Sequence, residues 1–236
     1  MATVVETAAV PADGERRVLI RGVGWQGYQA LLSMVGDQPV RLTYDREDVE
    51  LMSPLFKHER IRSLLARMVE TLTEELGIPL MSAGATTLKR EDLDRGLEAD
   101  TSFYLGDLTR IRDTDNLNLD LEIDPPPDLA IEIEITRSVL NRLGVYGALG
   151  VPEIWRFDGR TLRILDRQPD GSYREIPRSK ALPWISIEEI ARFVQLEETR
   201  DDTLWARTFR AWVREVVLPR LGQADEDGLG TPSARS

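Results

Sequence analysis

The sequence predicts a mixed α/β (α+β) domain, a central sheet of mixed strand direction flanked by helices. Three observations carry this. Strand and helix signals interleave along the chain without strict alternation. One long segment has the three-and-four apolar spacing of a helix with a single buried face, at Ile61, Leu64, Leu65, Met68, Val69, Leu72 and Leu76. And an alternating strand, 128–136, runs directly into a helical segment, 138–149, as strands in the middle of a sheet do.

Residues 1–14 are small, polar and aperiodic, and predict a loose N-terminus without the charged start and apolar core of a signal peptide. Residues 24–35 predict a short helix. Pro39 to Asp45 and Asp48 to Ser53 predict a hairpin around a polar turn. The long helix follows, preceded by Ser53-Pro54 and stopped by Gly77. Strands are predicted near 79–89 and 98–105, a polar loop over 107–126, then the 128–136 strand and the 138–149 helix. Residues 152–157 and 160–166 form a second hairpin at Asp158-Gly159, with a further turn at Asp170-Gly171. Helices near 186–197 and 200–219 close a domain spanning 15–221. Residues 222–236 read as a disordered tail. The last helix, with Leu204, Trp205, Phe209, Trp212, Val213, Val216 and Val217, either meets a second copy or covers the domain's own core.

Composition narrows the chemistry. The chain has 236 residues, 42% hydrophobic and 30% charged, which suits one sizeable globular core. No apolar run reaches the roughly 18 residues of a membrane-spanning helix, so a cytoplasmic protein is the expectation. There is no cysteine and one histidine, His58. Disulfides, thiolate metal sites, cysteine nucleophiles and multi-histidine metal sites are thereby excluded, and any catalysis must lean on carboxylates. The net charge of −11 is not the footprint of a strongly basic nucleic-acid binder. The only lysines are Lys57, Lys89 and Lys180.

The carboxylates gather on predicted strands. Leu129, Ile131, Ile133 and Ile135 fall on one face of 128–136, and Glu132 and Glu134 on the other, about 7 Å apart. Glu98 and Asp100 share a face of the preceding strand. Like charges so close need either water on an exposed face or a divalent cation in a cleft. Lys57-His58-Glu59 opens the long helix. There Glu59 serves the helix dipole or joins the acids, and His58 is either a hydrogen-bonded, half-buried histidine or a contact for phosphate or water.

These residues, in this order, resemble the PD-(D/E)XK nucleases, and more narrowly the Uma-two family of bacterial restriction-endonuclease proteins. The matching stretches are ELMSPLFKHERI at 50–61, TTLKREDLDRGLEADTSFYL at 86–105 and PDLAIEIEITRSVLNRLGVYGALGVPEIWRFDG at 127–159. The resemblance implies a restriction-endonuclease-like core over roughly 25–195. It implies metal-dependent hydrolysis of DNA phosphodiesters, with Mg2+ or Mn2+ held by Asp100 and Glu132 and with Glu59 as a further ligand or ligand-orienting group. Glu134 and Arg142 join the expected catalytic set, and Arg142, with His58 at the start of the long helix, is expected to contact substrate. The nuclease pattern has a lysine two residues after the second acid, where Glu134 stands; the family's alternative place, four residues before Tyr146, holds Arg142, which stays protonated and can clamp a phosphate but is a poor base. Ala99 stands where the signature proline precedes the first acid. Two other readings stay open: a nuclease-like domain that binds nucleic acid or protein without cutting, and an acidic oligomer with a solvated face. Cutting both strands would favour a homodimer.

Overall fold

The computed structural model describes residues 4–7, 14–112, 119–195 and 201–221. The chain begins with β1 (Val4–Thr7), β2 (Arg16–Arg21), α1 (Gly24–Val35), β3 (Arg41–Asp45) and β4 (Asp48–Ser53). The long helix α2 (Phe56–Leu76) leads to β5 (Leu80–Gly84), β6 (Thr87–Arg90), β7 (Arg95–Glu98) and β8 (Thr101–Leu105). Then come β9 (Leu129–Ile133), α3 (Arg142–Leu149), β10 (Glu153–Phe157), β11 (Leu162–Arg167) and β12 (Tyr173–Ile176). Finally α4 (Ile187–Gln195) and α5 (Asp202–Trp212) follow, the latter running into a π-helical turn at Val213–Val217.

The strands form two six-stranded sheets. The first, in order β1-β2-β4-β3-β7-β6, is antiparallel throughout. The second, β12-β11-β10-β9-β8-β5, is mixed, because β9 and β10 run parallel across the α3 crossover. The mixed α/β class is therefore as the sequence predicts, with the mixed sheet at its centre and a second sheet beside it. One apolar cluster lies between α2, α4, α5 and the face of the mixed sheet that carries Phe103, Leu129, Ile131, Ile133 and Trp155. Another lies on its opposite face, where α3 packs between the sheets through Val145, Tyr146 and Leu149 against Ala130, Leu88 and Leu97. A third joins α1 to the antiparallel sheet, with Tyr28 stacked on Tyr44 at 4.8 Å.

Several boundaries differ from expectation. Val4–Thr7 lies in the segment expected to be loose, yet it pairs with β2 from Val4↔Arg21 to Thr7↔Val18, its valines and threonine favouring the strand. The region read as two strands, 79–89 and 98–105, is four. The chain leaves the mixed sheet at Gly84 (φ 57°), turns back at Asp94 (φ 54°), and returns through Ala99-Asp100. The strand read over 128–136 ends at Ile133, so Glu134 lies beyond it. The helix read from 138 starts at Arg142, with the Asn141 side chain accepting from the Gly144 amide at 3.0 Å as its cap. Gly77 ends α2 in the left-handed region as predicted (φ 66°), but no side chain caps the start of that helix. The final helix resolves the choice left open for it: Trp205, Phe209, Val213 and Val217 are buried in the protein's own core. The tail 222–236 lies outside the described residues.

Candidate active site

Two structural facts bring the acids together. The β8–β9 register pairs Thr101 with Ile131; carried one residue further, it sets Asp100 across from Glu132. Residues directly opposite in an antiparallel pair have Cβ atoms about 4.5–5.5 Å apart, so both acids belong to one cluster. The alternation of β9 sends Leu129, Ile131 and Ile133 into the α2 side of the core and Glu132 toward α3.

On that side Arg142 and Tyr146, one turn apart on α3, both meet Glu132. Arg142 donates from Nε to Glu132 Oε1 at 2.5 Å and from Nη2 to Oε2 at 2.8 Å; the Tyr146 hydroxyl donates to Oε2 at 2.8 Å. The same guanidinium also donates to Thr43 Oγ1 and to the Glu98 carbonyl. Every hydrogen-bonding nitrogen of Arg142 is thus engaged, tying α3 to both sheets. Burial pushes the Glu132 carboxyl up, and the Asp100 charge adds to this; Arg142 opposes both.

Asp100 has a separate set of partners. Its Oδ2 accepts from the Ile133 amide at 2.7 Å, and its Oδ1 from His58 Nε2 at 2.9 Å. The other nitrogen, His58 Nδ1, meets Glu15 Oε1 at 2.5 Å. Burial pulls the His58 pKa down, but hydrogen bonds to Asp100 and Glu15 outweigh it and lift it to about 9. The imidazolium therefore donates from both nitrogens at neutral pH, and His58 is no general base. Burial would raise the Asp100 carboxyl; the His58 hydrogen bond overcomes this and holds it below the usual carboxylate range. Glu15 also accepts from Arg17 Nη2 at 2.8 Å and from the Thr136 amide at 3.2 Å. Arg17 in turn donates to Glu50 Oε1 at 2.5 Å. Glu50 gathers the amides of Val139 (2.6 Å) and Leu140 (3.3 Å) and the Ser138 hydroxyl (3.0 Å), which fixes the loop leading into α3.

The remaining sequence-nominated residues are more peripheral. Glu59 accepts from Arg62 Nε at 2.8 Å; its Oε1 is buried without a hydrogen-bond partner, 3.9 Å from Arg41 Nη2. Arg41 Nε is likewise unpartnered and lies 4.0 Å from Asp100 Oδ1, so Arg41 stands between Glu59 and Asp100. Glu134 turns to Arg156 and to the Ser138 amide at 2.7 Å, on a path separate from Glu132. His58 is fully buried rather than half-buried. Among the described residues, no group of three or more acid or histidine side chains converges as a ready-made cation site.

Sequence reasoning missed Glu15, Arg17, Arg41 and Glu50, and gave Tyr146 no part in the site. The signal available for the first pair was the alternation Glu15-Arg16-Arg17, two opposite charges on one face of a strand. For Tyr146 it was the four-residue spacing from Arg142.

A mixed sheet whose central parallel pair brackets a helix, with facing acids at neighbouring strands and a cation from that helix on one of them, is of the restriction-endonuclease-like α/β class. The family model Uma2, described as "Putative restriction endonuclease", matches residues 25–197, which is most of the chain. The protein belongs to that family, in keeping with the PD-(D/E)XK nuclease superfamily. No curated protein matches the chain.

Proposed function

We propose that the protein is a divalent-metal-dependent DNA endonuclease acting at the Asp100–Glu132 pair, in the cytoplasm, with Mg2+ or Mn2+ as its ion. The observation that carries this reading is the placement of the two acids across neighbouring strands with the Arg142 guanidinium against Glu132. The donor set suits a hard ion: carboxylate oxygens from Asp100 and Glu132, with Glu59 Oε1 as a buried acceptor left without a partner. Asp100 and Glu132 would hold the ion once Glu132 yields one of its hydrogen bonds to Arg142, and Glu59 would join them only if Arg41, which lies between Glu59 and Asp100, moved aside. Bound there, the ion supplies Lewis-acid stabilisation of a phosphoryl oxygen and acidifies water.

The chain's own groups do the rest. His58 and the Ile133 amide keep Asp100 ionised and oriented. Arg142, held by Glu132 and Thr43, offers a permanent positive charge to a phosphate but no base. Glu134, through Ser138, and Glu50 hold the loop that aims Arg142. Two copies would cut both strands of a duplex.

A second reading, a nuclease-like domain that binds without cutting, is favoured by one observation: all four oxygens of Asp100 and Glu132 already accept hydrogen bonds within the protein. Plasmid nicking in Mg2+ or Mn2+ separates the two. Cleavage that EDTA stops and that Asp100→Asn and Glu132→Gln each reduce at least about 100-fold supports the nuclease. Absence of cleavage by folded wild-type protein, or cleavage indifferent to both substitutions, overturns it.

A further inference from the structure

We infer that the end of the antiparallel sheet beside the acids is a seat for a single DNA strand, with Lys57 and Arg137 opposite its phosphates and Phe56 stacked on one of its bases. This deepens the nuclease proposal and rests on it for the choice of DNA.

The placement follows from register and hydrogen bonds. Arg16 pairs with Ser53 and Arg41 with Met52, so the start of β2, the start of β3 and the end of β4 share one end of the sheet. Phe56 and Lys57 follow Ser53 by three and four residues, in the first turn of α2. Arg137 reaches the same end because its neighbour Thr136 exchanges hydrogen bonds with Glu15, the residue before Arg16. Arg16, Lys57 and Arg137 are all exposed, and none makes an ion pair with a described residue. Arg16 points to the opposite face of the sheet from Arg17 and Arg41, which leaves Lys57 and Arg137 as the free cations on the side of the acids. In a chain of net charge −11 the field there, not the net charge, decides what approaches.

Arg41 connects this rim to the chemistry, 4.0 Å from Asp100 and 3.9 Å from Glu59. Phe56 and Glu59 are three residues apart on α2, neighbours on one helix face. The Phe56 ring is 84% exposed. A single exposed apolar side chain is ordinary; one beside a free lysine, on the helix face that carries a site carboxylate, presents a π-face where a strand would pass. A base inside a duplex is already stacked on both sides and has no face to give. The partner is therefore single-stranded or splayed DNA, held by phosphate contacts and one stacking contact.

Fluorescence anisotropy tests this in EDTA, where no cleavage intervenes, with a labelled 20-nucleotide single strand and its duplex as probes. Wild type is expected to prefer the single strand. Phe56→Ala should weaken single-strand binding about 10-fold and leave duplex binding nearly unchanged. Lys57→Ala or Arg137→Ala should weaken both and lower the slope of log affinity against log salt by about 0.7 for the single strand. Phe56→Leu, which keeps apolar bulk without the ring, should behave as Phe56→Ala. Equal or tighter duplex binding by wild type, or unchanged single-strand binding by Phe56→Ala, overturns the seat. The two proposals fail separately: binding with these signatures but no cleavage in Mn2+ keeps the seat and sinks the nuclease, whereas Asp100-dependent cleavage indifferent to Phe56 does the reverse.

Discussion

Arg142 and His58 show how single side chains make a buried acid pair tolerable. Two carboxylates facing each other inside a protein cost far more than their hydrogen bonds return unless each has its own cation. Glu132 has Arg142, on two nitrogens; Asp100 has His58, whose charge is itself held by Glu15. Arg142→Ala strands Glu132 in the core, and a broken buried pair typically costs about 3–5 kcal/mol. Urea unfolding should show a loss of that order for Arg142→Ala and a clearly smaller one for Arg142→Lys, which keeps the charge; equal losses would mean the charge is not what matters. His58 gives a pH signature. Its folded pKa of about 9 lies above the unfolded value, near 6.5, so its contribution is complete below about pH 6.5 and disappears as pH rises through 9. Unfolding free energies of wild type and His58→Gln, measured metal-free, should differ by on the order of 3 kcal/mol at pH 6 and converge by pH 10. A gap that stays constant with pH would show that the imidazole is neutral. Because the chain has one histidine, its NMR titration reads the same pKa without assignment work.

Among the elements, α3 is the one on which the site depends, and its position is set by a close backbone approach rather than by its own propensity. It has only eight residues, too short to be stable alone. A Cβ placed on Gly147 would lie 1.9 Å from the carbonyl oxygen of Gly171, in the turn between β11 and β12. Backbone cannot swing aside as a side chain can, so Gly147→Ala must lift α3 from that turn and strain the Arg167 hydrogen bond to the Gly147 carbonyl. The expected cost is about 1–3 kcal/mol, read as a lowered melting temperature together with weaker protection of the Arg142 and Tyr146 side chains; wild-type stability in that variant would place α3 further from the turn. The same element marks where sequence stops being informative. The alternation of Leu129, Ile131 and Ile133 against Glu132, and the apolar stripe of α2, were legible because periodicity follows directly from backbone geometry. The start of α3 was not: Ser138, Val139 and Leu140 look like a helical turn, but Glu50, 88 to 90 residues earlier, takes their donors. The second sheet escaped for a similar reason, since it depends on where Ala99-Asp100 carries the chain between sheets. Of the site, Asp100 and Glu132 were nominated through motif order, while Glu15, Arg17 and Glu50 became visible only as partners across long stretches of chain.

For the whole molecule, the family-matched segment and the folded unit are different things. The match covers 25–197, yet the structure draws on both flanks. On one side, β2 lies next to β4 inside the antiparallel sheet and delivers Glu15 and Arg17 to the acids. On the other, α5 and the π-helical turn close the core over α2 and the mixed sheet. Trp205 stacks on Phe209 at 5.5 Å, its indole donates to the Phe193 carbonyl at 2.9 Å, and Val213 and Val217 are fully buried. Arg210 and Arg214 fasten the helix further by pairing with Glu75 near the end of α2. Burying four such side chains is worth about 1.5–3 kcal/mol each, so removing them subtracts roughly 6–12 kcal/mol. A domain of this kind has only about 5–15 kcal/mol in all. Truncation after residue 197 should therefore leave a chain without a cooperative thermal transition by circular dichroism, binding a hydrophobic dye at room temperature. The paired substitution Trp205→Ala and Phe209→Ala in the full chain should move partway toward that state. A truncated protein that melts cooperatively near the wild-type temperature would show that the family-matched core is self-sufficient and that the last helix is an accessory to it.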